Sequence, residues 1–268
     1  MSTQQNGPGL QVAIEGAVAT VEIRNPARRN AMTPDMWRAL PPLLDRIEAD
    51  PAVRVLVLTG ANGSFCAGAD IGDLDELLDA GDASVAVAAE ERLAAFAKPT
   101  VAAIEGPCIG GGCQLAVACD LRIASAGARF GVPPAKLGLV YPTPTTRRLV
   151  QLIGPAATKF LIFTGELIGA ERAAAMGLVD EVVAVDGFAE RVAALTATIA
   201  SRSQLSAVAT KDVVRMVAAG EVDPARLAQW HGLVRVSGDA AEGVAAFGER
   251  RTPDFGWVLP ADRPTTAD

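Results

Sequence analysis

Two short glycine-bearing turns carry the first hint of chemistry. "CAGAD" (66–70) follows the apolar run "VRVLVLTG" (53–60), and "GPCIGGG" (106–112) follows "KPTVAAIEG" (98–106). Ligands of α/β sheets bind beyond the carboxyl ends of strands, where such turns lie. Two main-chain N–H groups converging there can hold a carbonyl oxygen whose charge grows during reaction, and glycine leaves room for that approach. By spacing alone, paired glycine turns serve tight packing equally well. The second turn runs into "GGGCQLAVACD" (110–120), whose one long polar side chain is Gln114. An amide hydrogen-bonds water or a carbonyl, but near neutral pH it neither takes nor gives a proton. A positioned acid or base is worth roughly 10²–10⁴ in rate. Gln114 is therefore read either as orienting a substrate or water, or as a satisfied buried amide.

Tyr141 is the only tyrosine, in "PAKLGLVY". Its phenol is available to orient a carboxylate, to deliver a proton, or to cap a pocket by packing. His231, the sole histidine, falls in a late helical stretch and suits a surface or interface. Asp120 ends the apolar segment and is expected to tie down backbone N–H groups or to pair with Arg122. Glu105 reads as a solvated loop carboxylate and Glu166 as structural. "RNPARRN" brings Arg24, Arg28 and Arg29 together as a basic turn. Cys66, Cys108, Cys113 and Cys119 lack C-x-x-C spacing and read as small buried hydrophobes. No cluster suggests a metal. Neither a dinucleotide G-x-G-x-x-G with its downstream acid nor a G-x-x-x-x-G-K-[ST] loop is present.

The elements that must position these groups are legible from pattern. Residues 11–24 alternate around Glu15-Gly16 as a hairpin. Thr33, Pro34 and Asp35 start a helix, which Pro41-Pro42 should kink or interrupt. The runs at 53–60 and 98–106 are strands, a helical stretch precedes Ala97, "GGCQLAVACD" is a buried helix, and "LRIASAGARFG" returns as strand and turn. Strands alternating with helices imply an α/β core with parallel pairing. From Thr146 onward nearly every segment reads as helix, with "LVDEVV" (178–183) the one expected strand.

The 268 residues are half hydrophobic, ample for one large core, and the net charge is -7 with few aromatics. That balance argues against nucleic acid as the main partner. No apolar run approaches the roughly 20 residues a membrane span needs. The N-terminus lacks the basic and apolar regions of a secretory signal, so a reduced cytoplasm is the expected location.

Taken in order, "FCAGADI" (65–71), "KPTVAAIEGPCIGGGCQLAVACDLRIA" (98–124), "FGVPPAKLGLVY" (130–141), "LIGPAATKFLIFTGELIGAERAAAMGLVDEVV" (152–183) and "EGVAAFGERRTPDF" (242–255) resemble the crotonase superfamily, the enoyl-CoA hydratase/isomerase family. The resemblance implies an α/β spiral of β-β-α turns over residues 11–200 and an all-helical trimerisation region over 201–258. Flexible tails are expected at 1–10 and 259–268. It further implies an acyl-CoA substrate, no separate cofactor or metal, and a homotrimer or dimer of trimers. Ala69 and Gly111 match the residues whose N–H groups polarise the thioester carbonyl. Gly68, Asp70, Ile71 and Gly72 fall in the strip lining the CoA adenine and pantetheine; Ala31 and Gly110 join them, and Arg28 and Arg29 lie near the CoA phosphates. Gly72 stands where the family has a phosphate-binding lysine, so that contact is missing or comes from elsewhere, such as an arginine of a neighbouring subunit.

The two glutamates by which the family's hydratases activate water are replaced by Gln114 and Pro134. What remains suits chiefly enolate stabilisation. The expected activity is an acyl-CoA reaction of the hydratase/isomerase type, with hydration itself disfavoured. The alternatives are thioester hydrolysis, decarboxylation of a malonyl-type thioester using Tyr141, and a member that binds acyl-CoA without turning it over. The Tyr141 stretch resembles that of methylmalonyl-CoA decarboxylases, which keep a glutamate where Gln114 stands.

Overall fold

A computed structural model describes residues 7–70 and 81–260. The chain begins with an antiparallel hairpin, β1 (Gly9–Glu15) and β2 (Val18–Arg24). Strand β3 (Val55–Gly60) then pairs parallel to β2, β4 (Thr100–Ile104) to β3, β6 (Leu121–Ser125) to β4, and β9 (Glu181–Val183) to β6. The sheet order is β1-β2-β3-β4-β6-β9. The residues of β4 are all buried, as an interior parallel strand covered on both faces requires. A second, three-stranded sheet is formed by β5 (Pro107–Ile109), β7 (Arg129–Gly131) and β8 (Ile168–Gly169). The sequence reading missed β5 and β8. Runs of two and three residues carry too little periodicity to register, and pairing alone defines them.

Helix α1 (Pro34–Ala49) starts where expected, with the Thr33 hydroxyl accepting from the Met36 N–H. It departs from expectation at Pro41-Pro42, running unbroken through both. Two missing intrahelical N–H bonds are outweighed by an apolar face of Trp37, Leu40, Leu43, Leu44 and Ile47 buried in the core. Helix α2 (Val85–Ala95) is capped by Ser84, and α3 (Gly111–Ala118) follows the second glycine turn. A short α4 (Pro134–Leu137), not foreseen, opens at Pro134. Helix α5 (Thr143–Thr164) breaks at Gly154, whose φ of 74° and ψ of 168° separate the two helices expected there. Beyond α6 (Ala170–Ala175) and β9 lie α7 (Phe188–Ala200), α8 (Gln204–Ala219), α9 (Pro224–Val236) and α10 (Asp239–Glu249), a helical C-terminal region. Ordered structure reaches slightly into both expected tails. Gly9 and Leu10 pair with β2, and buried Leu259 donates its N–H to Gln204 Oε1 at 2.9 Å.

Candidate active site at two converging glycine turns

The two turns are laced together by backbone. Phe65 N–H donates to Glu105 O at 2.7 Å, Cys66 N–H to Pro107 O at 2.9 Å, and Ile109 N–H to Cys66 O at 3.0 Å. On the other side, Ala67 N–H donates to Arg29 O at 3.0 Å, Met32 N–H to Gly68 O at 2.8 Å, and Asp70 N–H to Met32 O at 2.8 Å. Asn30, fully buried at φ 58°, secures that platform. Its amide donates to Ala61 O at 2.8 Å and to Ser64 O, and it accepts from Asn25 N–H at 2.9 Å. The sequence reading did not single Asn30 out, because an Asn directly after two arginines looks like any turn residue.

This lacing decides which N–H groups remain available. Ala69 bridges to Met32 through the carbonyl before it and the amide after it, so its own N–H faces the opposite way. Gly111 is the first residue of α3, and Gly110 before it supplies no side-chain cap, leaving the first helical amides without an intrahelical partner. Among the described residues, neither Ala69 N–H nor Gly111 N–H donates a hydrogen bond. They are also neighbours: a Cβ built on Gly111 would stand 3.1 Å from Ala69 N and 3.0 Å from Trp37 Cζ2, and one built on Gly68 would stand 3.7 Å from Gly111 N. Gly112 is required for this approach. A Cβ there would meet Cys66 O at 2.3 Å, a distance no backbone oxygen tolerates.

Gln114 lies one turn into α3 and is buried. At i+3 from Gly111 it shares the face that Gly111 turns towards Trp37 and Ala69. Among the described residues its Nε2 has no hydrogen-bond partner, although it lies near enough to Glu90 to favour that carboxylate. Glu90, on α2, is fully buried. Thr145 Oγ1 donates to its Oε2 at 2.5 Å and Arg148 to its Oε1 at 2.5 Å. Burial nevertheless holds its carboxyl above the usual range, against the pull of Thr145, Arg148 and Gln114. Glu90 was invisible to the sequence reading. "AAEERLAA" looks like the solvated face of a helix, and only the packing of α2 on α3 and α5 encloses it.

Tyr141 Oη donates to Gly110 O at 2.8 Å, the same oxygen that accepts the Gln114 N–H at 3.0 Å. Burial, with Cys113 and Glu90 nearby, raises its pKa well above the ordinary phenol value. Trp37 is a third residue the sequence did not flag: it is buried, its indole edge lies against Gly111, and its Nε1 has no partner among the described residues. Pro134 is buried at the start of α4, one residue beyond Pro133, whose Cδ lies 4.0 Å from where a Gly110 Cβ would be.

Arg28 and Arg29 are exposed on the turn whose backbone grips Ala67, and Ala31 beside them is buried. Gly68, Asp70 and Gly110 fall within the laced segments, while Ile71 and Gly72 lie outside the described residues. All four cysteines are buried and free. Burial pushes the Cys66 thiol up to about 12, as fits a packing residue. Cys113 Sγ contacts Cys108 O at 2.8 Å and Gly131 O at 3.3 Å behind the second turn. Asp120 does hold backbone, accepting from Thr100 N–H at 2.8 Å, but its ionic partner is Lys211 at 2.6 Å; Arg122 pairs instead with Asp180 at 2.8 Å. The expected Asp120–Arg122 pair is thus corrected, because β9 brings Asp180 alongside β6. His231 and Glu166 are exposed, and Glu105 lines a cavity of about 350 Å³ between the sheet and α7.

Comparisons with known proteins identify the family of the chain. A model described as enoyl-CoA hydratase/isomerase matches residues 13–257. The chain is 34% identical over 247 residues to a crotonyl-CoA hydratase of Syntrophomonas wolfei, covering 90% of this chain and 95% of that one. It is 33% identical over 249 residues to a 2,3-dehydroadipyl-CoA hydratase of Escherichia coli K12, covering 92% and 98%. The crystal structure of an enoyl-CoA hydratase/isomerase family member superimposes with a TM-score of 0.89 at 40% identity, covering 94% of this chain and 99% of that chain. The α/β spiral and its helical C-terminal region are therefore those of the crotonase fold, and the chain belongs to the enoyl-CoA hydratase/isomerase family.

Proposed function

We propose that this protein processes acyl-CoA thioesters by holding the thioester oxygen between the amides of Ala69 and Gly111 as it becomes an enolate oxygen. One observation carries the reading: these two N–H groups, from turns brought together by the 65–66/107–109 lacing, adjoin one another and are unspent. Preorganised donors of this kind cost no reorganisation during reaction and are worth roughly 10²–10³ in rate each. Arg28 and Arg29, exposed beside the strip Gly68–Asp70, would meet the phosphates of CoA, with Ala31 and Gly110 lining its path.

With Gln114 and Pro134 where hydratases of the family carry glutamates, activation of water is unsupported and a reaction driven by enolate stabilisation is favoured. Decarboxylation of a malonyl-type thioester is such a reaction. The C–C bond to the carboxylate breaks, its electron pair passes into the enolate held by Ala69 and Gly111, CO₂ leaves, and the enolate carbon later takes up a proton. The commitment of the Tyr141 hydroxyl to Gly110 O favours, as a second reading, a member that binds acyl-CoA without turning it over. A homotrimer or dimer of trimers belongs to the same proposal, supported by the outward-facing Val236 and Phe247, 80% and 87% exposed on the C-terminal helices.

Incubation with crotonyl-CoA and, separately, with methylmalonyl-CoA tests the reading, following loss of the conjugated thioester and release of CO₂. Slow hydration with CO₂ release is expected. Brisk hydration of crotonyl-CoA overturns the assignment of Gln114 and Pro134. Turnover of neither, with measurable binding of both esters, selects the binder.

A further inference from the structure

We propose that Tyr141 is a positioning residue that acts on bound thioester through the Gly110–Gly111 peptide group, without touching the substrate. This rests on the reading of Ala69 and Gly111 as the oxyanion-holding amides. The Gly110 carbonyl and the Gly111 N–H are the two ends of one resonant peptide unit. A hydrogen bond to the oxygen draws electron density from the nitrogen and makes its N–H a stronger donor. Here the oxygen receives two such bonds, from Tyr141 Oη at 2.8 Å and from Gln114 N–H at 3.0 Å. Bonds that polarise one another in series strengthen by about 10–30% each.

The same contact fixes direction. Gly110 sits at φ 52° and ψ −113°, with its own N–H tied to Gly131 O at 2.9 Å. Its carbonyl is clamped by Tyr141 from outside the helix. The peptide before Gly110 is thus held by Gly131 and the Gly110–Gly111 peptide by its carbonyl, which leaves the Gly111 N–H aimed at the place beside Ala69 N. Tyr141 reaches this point from the loop between α4 and α5, 31 residues away in sequence. Its hydroxyl has a single proton, and that proton is spent on Gly110 O. The raised pKa of the phenol keeps it there at neutral pH.

The test is a graded series at position 141: Tyr141→Phe, the native residue, and replacement by 3,5-difluorotyrosine, which strengthens the donor while preserving shape. The readout is the infrared stretch of a ¹³C-labelled carbonyl in butyryl-CoA, an ester without the double bond or β-carboxylate of the turnover substrates. Binding to the native protein is expected to lower the stretch. Tyr141→Phe should recover about 10–30% of that displacement, the fluorinated residue should deepen it, and Kd should change by less than about twofold across the series. On a turned-over ester, Tyr141→Phe should lower kcat about two- to eightfold at unchanged KM, which is 10–30% of a donor worth roughly 10²–10³. A carbonyl stretch identical across the series, with the native displacement intact, overturns the role of Tyr141 and leaves the oxyanion-holding amides standing. A stretch unchanged on binding to the native protein overturns those amides themselves. Should Tyr141→Phe fail to fold, native and fluorinated proteins still decide the matter.

Discussion

Replacing Gly111 by alanine adds one methyl group at a place the structure bounds on three sides. The new Cβ would stand 3.0 Å from Trp37 Cζ2, 3.1 Å from Ala69 N and 3.2 Å from Gly68 C. An oxygen accepting from Ala69 N–H needs to lie 2.7–3.1 Å from that nitrogen, so the methyl takes the distance at which the thioester oxygen would sit under the proposed reading. The amides survive, but the oxygen loses at least one of them. Loss of one donor costs roughly 2.7–4 kcal/mol of transition-state stabilisation, a fall of about 10²–10³ in kcat. The fold should be affected far less. Alanine gains up to about 1 kcal/mol of helix propensity over glycine, against about 1–3 kcal/mol for shifting neighbours by a few tenths of an ångström. Gly112→Ala is the contrasting variant. Its Cβ would meet Cys66 O at 2.3 Å, a backbone atom held in the lacing of the two turns, so it should lower Tm by much more. Measuring kcat on the ester that reacts, together with chemical denaturation, separates the two. Gly111→Ala with native kcat refutes the reasoning, as does a loss of activity that merely tracks loss of folded protein.

Further outcomes follow from the buried polar groups. Gln114→Glu should raise hydration of crotonyl-CoA at least about tenfold, since it restores one proton-transferring group; no gain would show that Gln114 does not face the reacting carbons. Glu90 has a folded pKa above its unfolded one, so its contribution to stability is complete below the unfolded value and is lost as pH rises through the folded value. The Tm of Glu90→Gln relative to the native protein should therefore climb with pH across the mildly acidic range, and a pH-independent difference would contradict the assignment. Trp37→Phe removes a buried N–H that has no partner among the described residues. Leaving such a group unsatisfied costs about 1–3 kcal/mol, which offsets the cavity left by the smaller ring, so denaturant unfolding should show a smaller loss than Trp37→Leu, which leaves a comparable gap. Equal losses for the two variants would contradict an unsatisfied Nε1.

Local pattern and local chemistry carried the architecture. Hydrophobic period separated strands from helices, and Thr33-Pro34 marked the start of α1. The ordered motifs from Phe65 to Phe255 identified the family, because residues that serve one site keep their spacing along the chain. The identities of Gln114 and Pro134, and so the doubt about hydration, were also fully written in the sequence. The pattern failed where a propensity met a stronger tertiary force. Pro41-Pro42 reads as a break, yet the buried face of α1 holds the helix through it.

What only the tertiary structure decided is which polar groups are spent and which remain. Ala69 N–H stays available because Met32, 37 positions earlier, bonds its two neighbours instead. Tyr141 finds Gly110 across 31 residues, and Glu90 meets Thr145 across 55. A residue type states what a group can donate or accept. Its partner is set by chain segments distant in sequence that packing brings within about 3 Å.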